Sequence, residues 1–350
     1  MSDTRFTALG MSGSGKTCYV LGMFYEMSVG IRGFRLSTEN DTARKLLAWT
    51  ETLDNIERGI DRFPQGTKFS EMNDYLFELS HNNEDIISFD WIDYAGGALA
   101  LSEGTEEVFD RINASMEEST ALYIFLDGDY FCEESYEKKM RNVKRKCSRY
   151  ISDRIKQFVD KHDSKGIPIV FVVTKIDKCR KYTTNDEVVS IIKEAFSPEF
   201  SKGYTVYITS VSLGKNITEN NYMGEVEPIN IHLPFFIGVF YLFMKEINKF
   251  KSELYNKITE IDSYRKQINN SIKKEEEAHF LWFKTTNYDA IRSLKIEDSR
   301  CASMREQYIE QINKYDHLLR VVREELVRNE QNFELFIDGE KRNCLPEYNV

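Results

Sequence analysis

Neither glycine nor proline occurs between residues 239 and 338. Nothing in that stretch punctuates a helical pattern, so long helices are expected there. Cysteine is sparse: the six are scattered with no C-x-x-C pair, and the five histidines stand apart. This excludes a disulfide scaffold or zinc module and implies free thiols in a reducing, cytoplasmic setting. Long apolar runs are missing too. The longest, 231–244, is interrupted by His232 and Pro234 and is too short for a bilayer, so it reads as the start of a buried helix. No secretory leader is expected, because Ser2-Asp3-Thr4-Arg5 leads straight into an apolar strand. Basic charge is outweighed, with a formal net charge of −10, so no specific nucleic acid is expected as a partner.

What is present is a core-forming chain: 41% of its 350 residues are hydrophobic, enough for one large domain or two smaller ones. Strand-like runs fall at 6–9, 75–79, 86–92, 121–126, 167–173 and 204–209, with helix-like runs between them. Several of these strands are almost wholly apolar, as in sheets covered on both faces. The alternation predicts an α/β domain with a mainly parallel, doubly wound sheet over 1–245. A helix is expected over 41–57 and a loop at Pro64-Gln65-Gly66-Thr67. Beyond this domain, Leu254, Ile258, Ile261, Ile268 and Ile272 follow heptad spacing, as do Met304, Tyr308, Tyr315, Leu319, Val322, Leu326 and Phe333. The two sets predict a long α-helical hairpin over 246–338, with a single extended coiled coil as the alternative and a tail over 339–350.

Residues 10–17 read G-M-S-G-S-G-K-T, a complete G-x-x-x-x-G-K-T phosphate loop between a strand and a helix. In that setting the N–H groups of Gly13, Ser14, Gly15 and Lys16 converge on a β-phosphate at a helix N-terminus. Lys16 then reaches the β and γ oxygens, and the Thr17 hydroxyl ligates Mg²⁺. Cys18, next in the chain, is counted with the nucleotide-binding residues. Asp93-Tyr94-Ala95-Gly96 is a D-x-x-G at a strand end, where Asp93 can hold Mg²⁺ through water and Gly96 can offer its N–H to a γ-phosphate. Release of that loop when the phosphate is lost is the physics of a switch. Thr174-Lys175-Ile176-Asp177 has the form [N/T]-K-x-D, in which Asp177 accepts hydrogen bonds from guanine N1 and its 2-amino group. Adenine offers neither donor there. The Lys175 stem can cover the base, while threonine in place of asparagine weakens one tie to the phosphate loop. The N–H of Ser210 or Val211, after the sixth strand, is a candidate donor to guanine O6.

These elements in this order resemble the translation-factor-related class of P-loop GTPases, over roughly residues 5–249. The segment from Pro64 to Thr67, followed by a strand and Asp93-Tyr94-Ala95-Gly96-Gly97, is similar to the bacterial double-GTPase families. The resemblance implies GTP and GDP as ligands, Mg²⁺ as cofactor, and a molecular switch of the kind found in multi-gene conflict or defence loci. It implies a Mg²⁺-ligating switch threonine before residue 75, for which Thr67 is the choice and Thr38 the runner-up. Gly97 stands where Ras-like relatives place a glutamine that orients the attacking water, so hydrolysis is expected to be slow unless another residue or a partner completes the site. A GTP-binding scaffold that barely hydrolyses and a P-loop ATPase or kinase are the alternatives, and Asp177 speaks against the second.

Two segments invite partners. Lys138, Lys139, Arg141, Lys144, Arg145, Lys146 and Arg149 cluster in sequence, but Met140, Val143, Cys147, Ile151, Ile155 and Phe158 form an apolar stripe beneath them. The cations are therefore read as the solvated face of an amphipathic helix. Phe280-Leu281-Trp282-Phe283 lies near the expected hairpin tip. Packing of the turn on itself is the first reading, a protein partner or second protomer the next, and membrane contact, as in dynamin-like relatives, the last. A protein partner or a homodimer through either domain is expected.

Overall fold

A computed structural model describes residues 4–54, 63, 72–94, 96, 106–162, 167–201, 203–215, 217, 225–282 and 288–346. Its strands are β1 (Arg5–Gly10), β2 (Phe34–Thr38), β3 (Met72–His81), β4 (Glu84–Tyr94), β5 (Ser119–Asp127), β6 (Pro168–Thr174), β7 (Thr205–Ser210), β8 (Phe333–Ile337) and β9 (Glu340–Arg342). Its helices are α1 (Lys16–Val29), α2 (Asn40–Asp54), α3 (Glu106–Glu117), α4 (Tyr136–Val143), α5 (Arg149–His162), α6 (Ile176–Cys179), α7 (Asn185–Ala195), α8 (His232–Trp282) and α9 (Tyr288–Arg328). The chain divides into two compact units, one formed by Met1–Leu242 with Val322–Val350, the other by Phe243–Val321.

The expectation of a mainly parallel, doubly wound sheet is corrected. Among the described residues the nine strands form one mixed sheet in the order β2-β3-β4-β1-β5-β6-β7-β8-β9. The middle pairings, β4 to β7 through β1, are parallel, and the four toward the two edges are antiparallel. The physical reason lies in two short turns. Asn82 and Asn83 have φ of 50° and 66° and join β3 to β4, while Asp338 and Gly339, at 54° and 80°, join β8 to β9. A two-residue turn with both φ positive reverses the chain at once, and a parallel crossover needs a dozen residues or more. The stretch at 34–38 becomes a strand by pairing with β3, and 333–342 returns from the second unit to pair with β7.

Burial explains the middle of the sheet. Every residue of β5 and β6 is buried, as expected of strands covered on both faces. On one face Leu122, Ile124 and Phe171 pack with Ile112, Val143, Cys147, Ile151 and Ile191 from the covering helices. On the other, Phe6, Trp91 and Tyr123 form an aromatic layer with Tyr19 of α1 and Phe235 from the start of α8. The apolar stripe from Met140 to Ile155 is buried, and a π turn over Lys144–Ser148 keeps it facing inward. Residues spaced four apart drift around an α-helix, and a wider turn cancels that drift. The solvated-face reading is corrected at one position: Lys139 is buried, whereas Lys138, Arg141, Lys144, Arg145, Lys146 and Arg149 are exposed.

In the second unit the long helices run antiparallel. Lys251 pairs with Asp316, Asp262 with Arg305 and Arg265 with Asp298, so partners descend on α9 as residues ascend on α8. Leu254 and Ile258 pack with Ile312, and Ile268 and Ile272 with Ile291 and Cys301. The side chains of Phe280, Leu281 and Trp282, and all of Phe283, lie outside the described residues. No helix among those described is long and apolar enough to cross a membrane.

One buried carboxyl makes the first unit sensitive to pH. Glu199, in the 3₁₀ turn Ser197–Phe200, is 1% exposed. Burial pushes its pKa up to about 7, with Asp153 adding to the rise. The folded protein therefore holds a proton that the unfolded chain releases near 4.5. The stabilisation is complete below that value and is lost as pH rises through about 7. Between about pH 5 and about pH 8 the loss should be on the order of 2–3 kcal/mol. Urea midpoints of wild type and Glu199→Gln across that range check this, and the variant should lose the slope.

Candidate nucleotide site

The candidate site is built where β1 ends. Gly10 closes the strand and α1 opens at Lys16, so five residues must reverse the chain tightly. Gly13 and Gly15 do this with φ of 77° and 84°, a region costly for any other residue. The turn aims the start of α1 into a cavity of about 270 Å³, lined by the loop, Thr174, Lys175, Ser212 and Leu213 among others. Cys18 also lines it, and burial pushes its thiol up to about 11, so it is no ready nucleophile.

Lys16 is turned inward. Its side chain is 7% exposed, and its ammonium donates to the Gly10 carbonyl at 2.9 Å, its one hydrogen bond among the described residues. Burial holds its pKa below the ordinary value, and Asp93, with Oδ1 at 4.0 Å, pulls it back up. Asp93 is fully buried near the end of β4, beside Ala8 of β1. Burial raises its carboxyl pKa, while Lys16 and the Thr17 hydroxyl, which donates to Oδ2 at 2.8 Å, lower it. Among the described residues, the buried Asp93 Oδ1 and Ser14 Oγ have no hydrogen-bond partner.

These orphaned groups decide whether a phosphate and Mg²⁺ fit. An ammonium with two unused protons, a helix N-terminus and a free serine hydroxyl suit a polyphosphate. The Thr17 hydroxyl and the unpartnered Asp93 oxygen suit a hard cation. Among the described residues no three His, Cys, Asp or Glu side chains converge, so a Mg²⁺ here would take its remaining ligands from phosphate and water.

Gly96 is buried directly against the phosphate loop; a Cβ there would collide with the Ser12 nitrogen and the Met11 carbonyl carbon. Thr67 and Gly97 lie outside the described residues. The runner-up Thr38 is not brought to the cavity: it lies in β2, and its hydroxyl donates to the Leu76 carbonyl at 2.6 Å.

The segment expected to select the base follows β6. Thr174 keeps the tie that asparagine was expected to provide, donating to the Ser14 carbonyl at 2.9 Å. Lys175, at φ 52°, donates to the Gly13 carbonyl at 3.0 Å and to Asp127 Oδ2 at 2.9 Å. Asp177 accepts from the Ser212 hydroxyl at 2.5 Å. Of Ser210 and Val211, the two donors expected for guanine O6, Val211 lines the cavity. The Val211 N–H is already donated to the Val173 carbonyl at 2.8 Å, and Ser210 ends β7. Ser212 and Leu213 line the cavity beside Val211. The sequence T-S-V-S-L-G offers two serines two positions apart, and only the partner of Asp177 tells them apart. Asp127 was also missed, since a carboxylate ending an apolar strand carries no motif.

No protein-family model matches this chain, and no curated protein matches it.

Replacing Gly96 with alanine tests the packing of this loop. The added methyl must push the loop off Ser12, with an expected loss of about 1–3 kcal/mol. A urea midpoint equal to that of wild type would refute the close approach.

Proposed function

We propose that this chain binds GTP with Mg²⁺ and hydrolyses it slowly, acting as a nucleotide switch. The observation that carries the reading is the buried, under-bonded Lys16 ammonium beside the Thr17–Asp93 pair, in a cavity that Thr174 and Lys175 close from the base side. A triphosphate supplies the acceptors that Lys16 lacks. Asp177, whose carboxylate accepts from the cavity-lining Ser212, is the acceptor proposed for guanine N1 and its 2-amino group, and the Leu213 N–H is the donor proposed for guanine O6.

Mg²⁺ at Thr17 and Asp93 would neutralise charge on the phosphate oxygens. Lys16 holds the same oxygens as charge shifts toward GDP while water adds to the γ-phosphorus and the bond to the β-phosphate oxygen breaks. Gly97 has no side chain to orient that water, which is the reason for slow turnover. The same residue favours the second reading, a GTP-binding scaffold that barely hydrolyses. The helical unit is the proposed route to a partner or a second protomer.

Turnover measured with GTP and with ATP, across protein concentrations, tests both readings. GTP should be preferred, and a rate per molecule that rises with concentration would mean that a second protomer completes the site. Lys16→Ala should lose binding of the triphosphate, and unchanged turnover would remove the active-site assignment. Asp177→Asn should weaken GTP by about 10- to 100-fold and favour xanthosine triphosphate, which accepts where guanine donates. Equal GTP affinity in that variant would overturn the guanine assignment.

A further inference from the structure

Lys139 is buried at 1% exposure, yet the nucleotide chemistry has no use for it. Its ammonium donates to the Tyr182 carbonyl at 2.5 Å and to both oxygens of Glu187 at 2.9 and 3.0 Å. Three protons meet three acceptors, all beyond the base-selecting segment. Tyr182 closes the turn after α6, with its own N–H and that of Thr183 bonded to the Cys179 carbonyl. Glu187 also accepts from the Thr183 hydroxyl at 2.8 Å, and its N–H is capped by Thr184.

The helix α6, which carries Asp177, has only four residues. A single turn has no stability of its own, so its position is set by whatever grips its ends. Lys175 grips the near end through Gly13 and Asp127, and Ser212 holds the middle. Lys139 reaches from α4 to hold the far end. A buried ion pair is weak evidence of a stabilising role, since an apolar pair of similar size often serves as well. What an apolar pair could not supply is the bond to the Tyr182 carbonyl. We propose that Lys139, with Glu187, is a positioning residue for purine selection, fixing the turn that presents Asp177 to the 2-amino group and N1 of guanine. This rests on the reading of the chain as a GTP-binding protein.

The test compares the affinities of GTP, ITP and ATP for wild type, for Lys139→Met, and for Lys139→Met with Glu187→Leu. ITP lacks the 2-amino group and ATP lacks both donors. Wild type should prefer GTP over ITP by about 10- to 100-fold, the worth of one charged hydrogen bond. In both variants that preference should fall at least about fivefold, while ATP affinity stays within about twofold. The double variant leaves no unpaired carboxylate, so it carries the test if the single variant does not fold. An unchanged preference in the double variant, or equal weakening of all three nucleotides, would overturn the proposal. If wild type itself binds GTP no better than ITP and ATP, the guanine reading fails, and this is seen without any variant.

Discussion

Burying an ammonium is expensive unless it is surrounded by acceptors, and among the described residues Lys16 has one. The rest of the first unit is arranged around that constraint. The left-handed Gly13 and Gly15 let α1 begin where the ammonium can turn back onto the Gly10 carbonyl. Parallel pairing of β4 with β1 places Asp93 beside it, at the limit of an ion pair. Burial drives the two groups in opposite directions, Lys16 down and Asp93 up, and each partly reverses the shift of the other. Such a buried pair is costly unless further hydrogen bonds satisfy both groups.

The mixed sheet separates the part that makes the site from the part that does not. The ends of β1, β4, β5, β6 and β7 lead to Gly10, Asp93, Asp127, Thr174 and Ser210, and their parallel pairing puts those ends on one edge. Binding at the carboxyl ends of parallel strands is a general consequence of that geometry. The antiparallel strands widen the sheet without adding a residue to the cavity lining. At one edge β8 pairs antiparallel with β7.

The motifs were legible because each is local. Residues 10–17 need only a strand before and a helix after, and 174–177 only a strand end. The apolar runs likewise marked six strands, and in β5 and β6 burial on both faces leaves no alternation to misread. Pairing direction was not legible from apolar runs. It was written in Asn82-Asn83 and Asp338-Gly339, whose left-handed preference is a hairpin signal that the α/β pattern overrode. Ser212 escaped because its role exists only through contact with Asp177, some 35 residues away. Lys139 escaped because helical periodicity places a residue on a face but cannot say what a neighbouring helix lays over it.

Three lysines are buried among the described residues, and comparing them separates framework from function. Lys139 meets three acceptors, and Lys251 in the helical unit meets Asp316 at 2.8 Å. Both lie where removing the charge would leave a carboxylate stranded, so their chemistry is complete within the fold. Lys16 is also buried, yet its nearest carboxylate oxygen, Asp93 Oδ1, stays at 4.0 Å, while the Thr17 hydroxyl donates to the other oxygen. Closing that gap would satisfy Lys16 and seal the space at the start of α1. The fold keeps the ammonium short of acceptors and the space open, and that is the arrangement a polyphosphate requires.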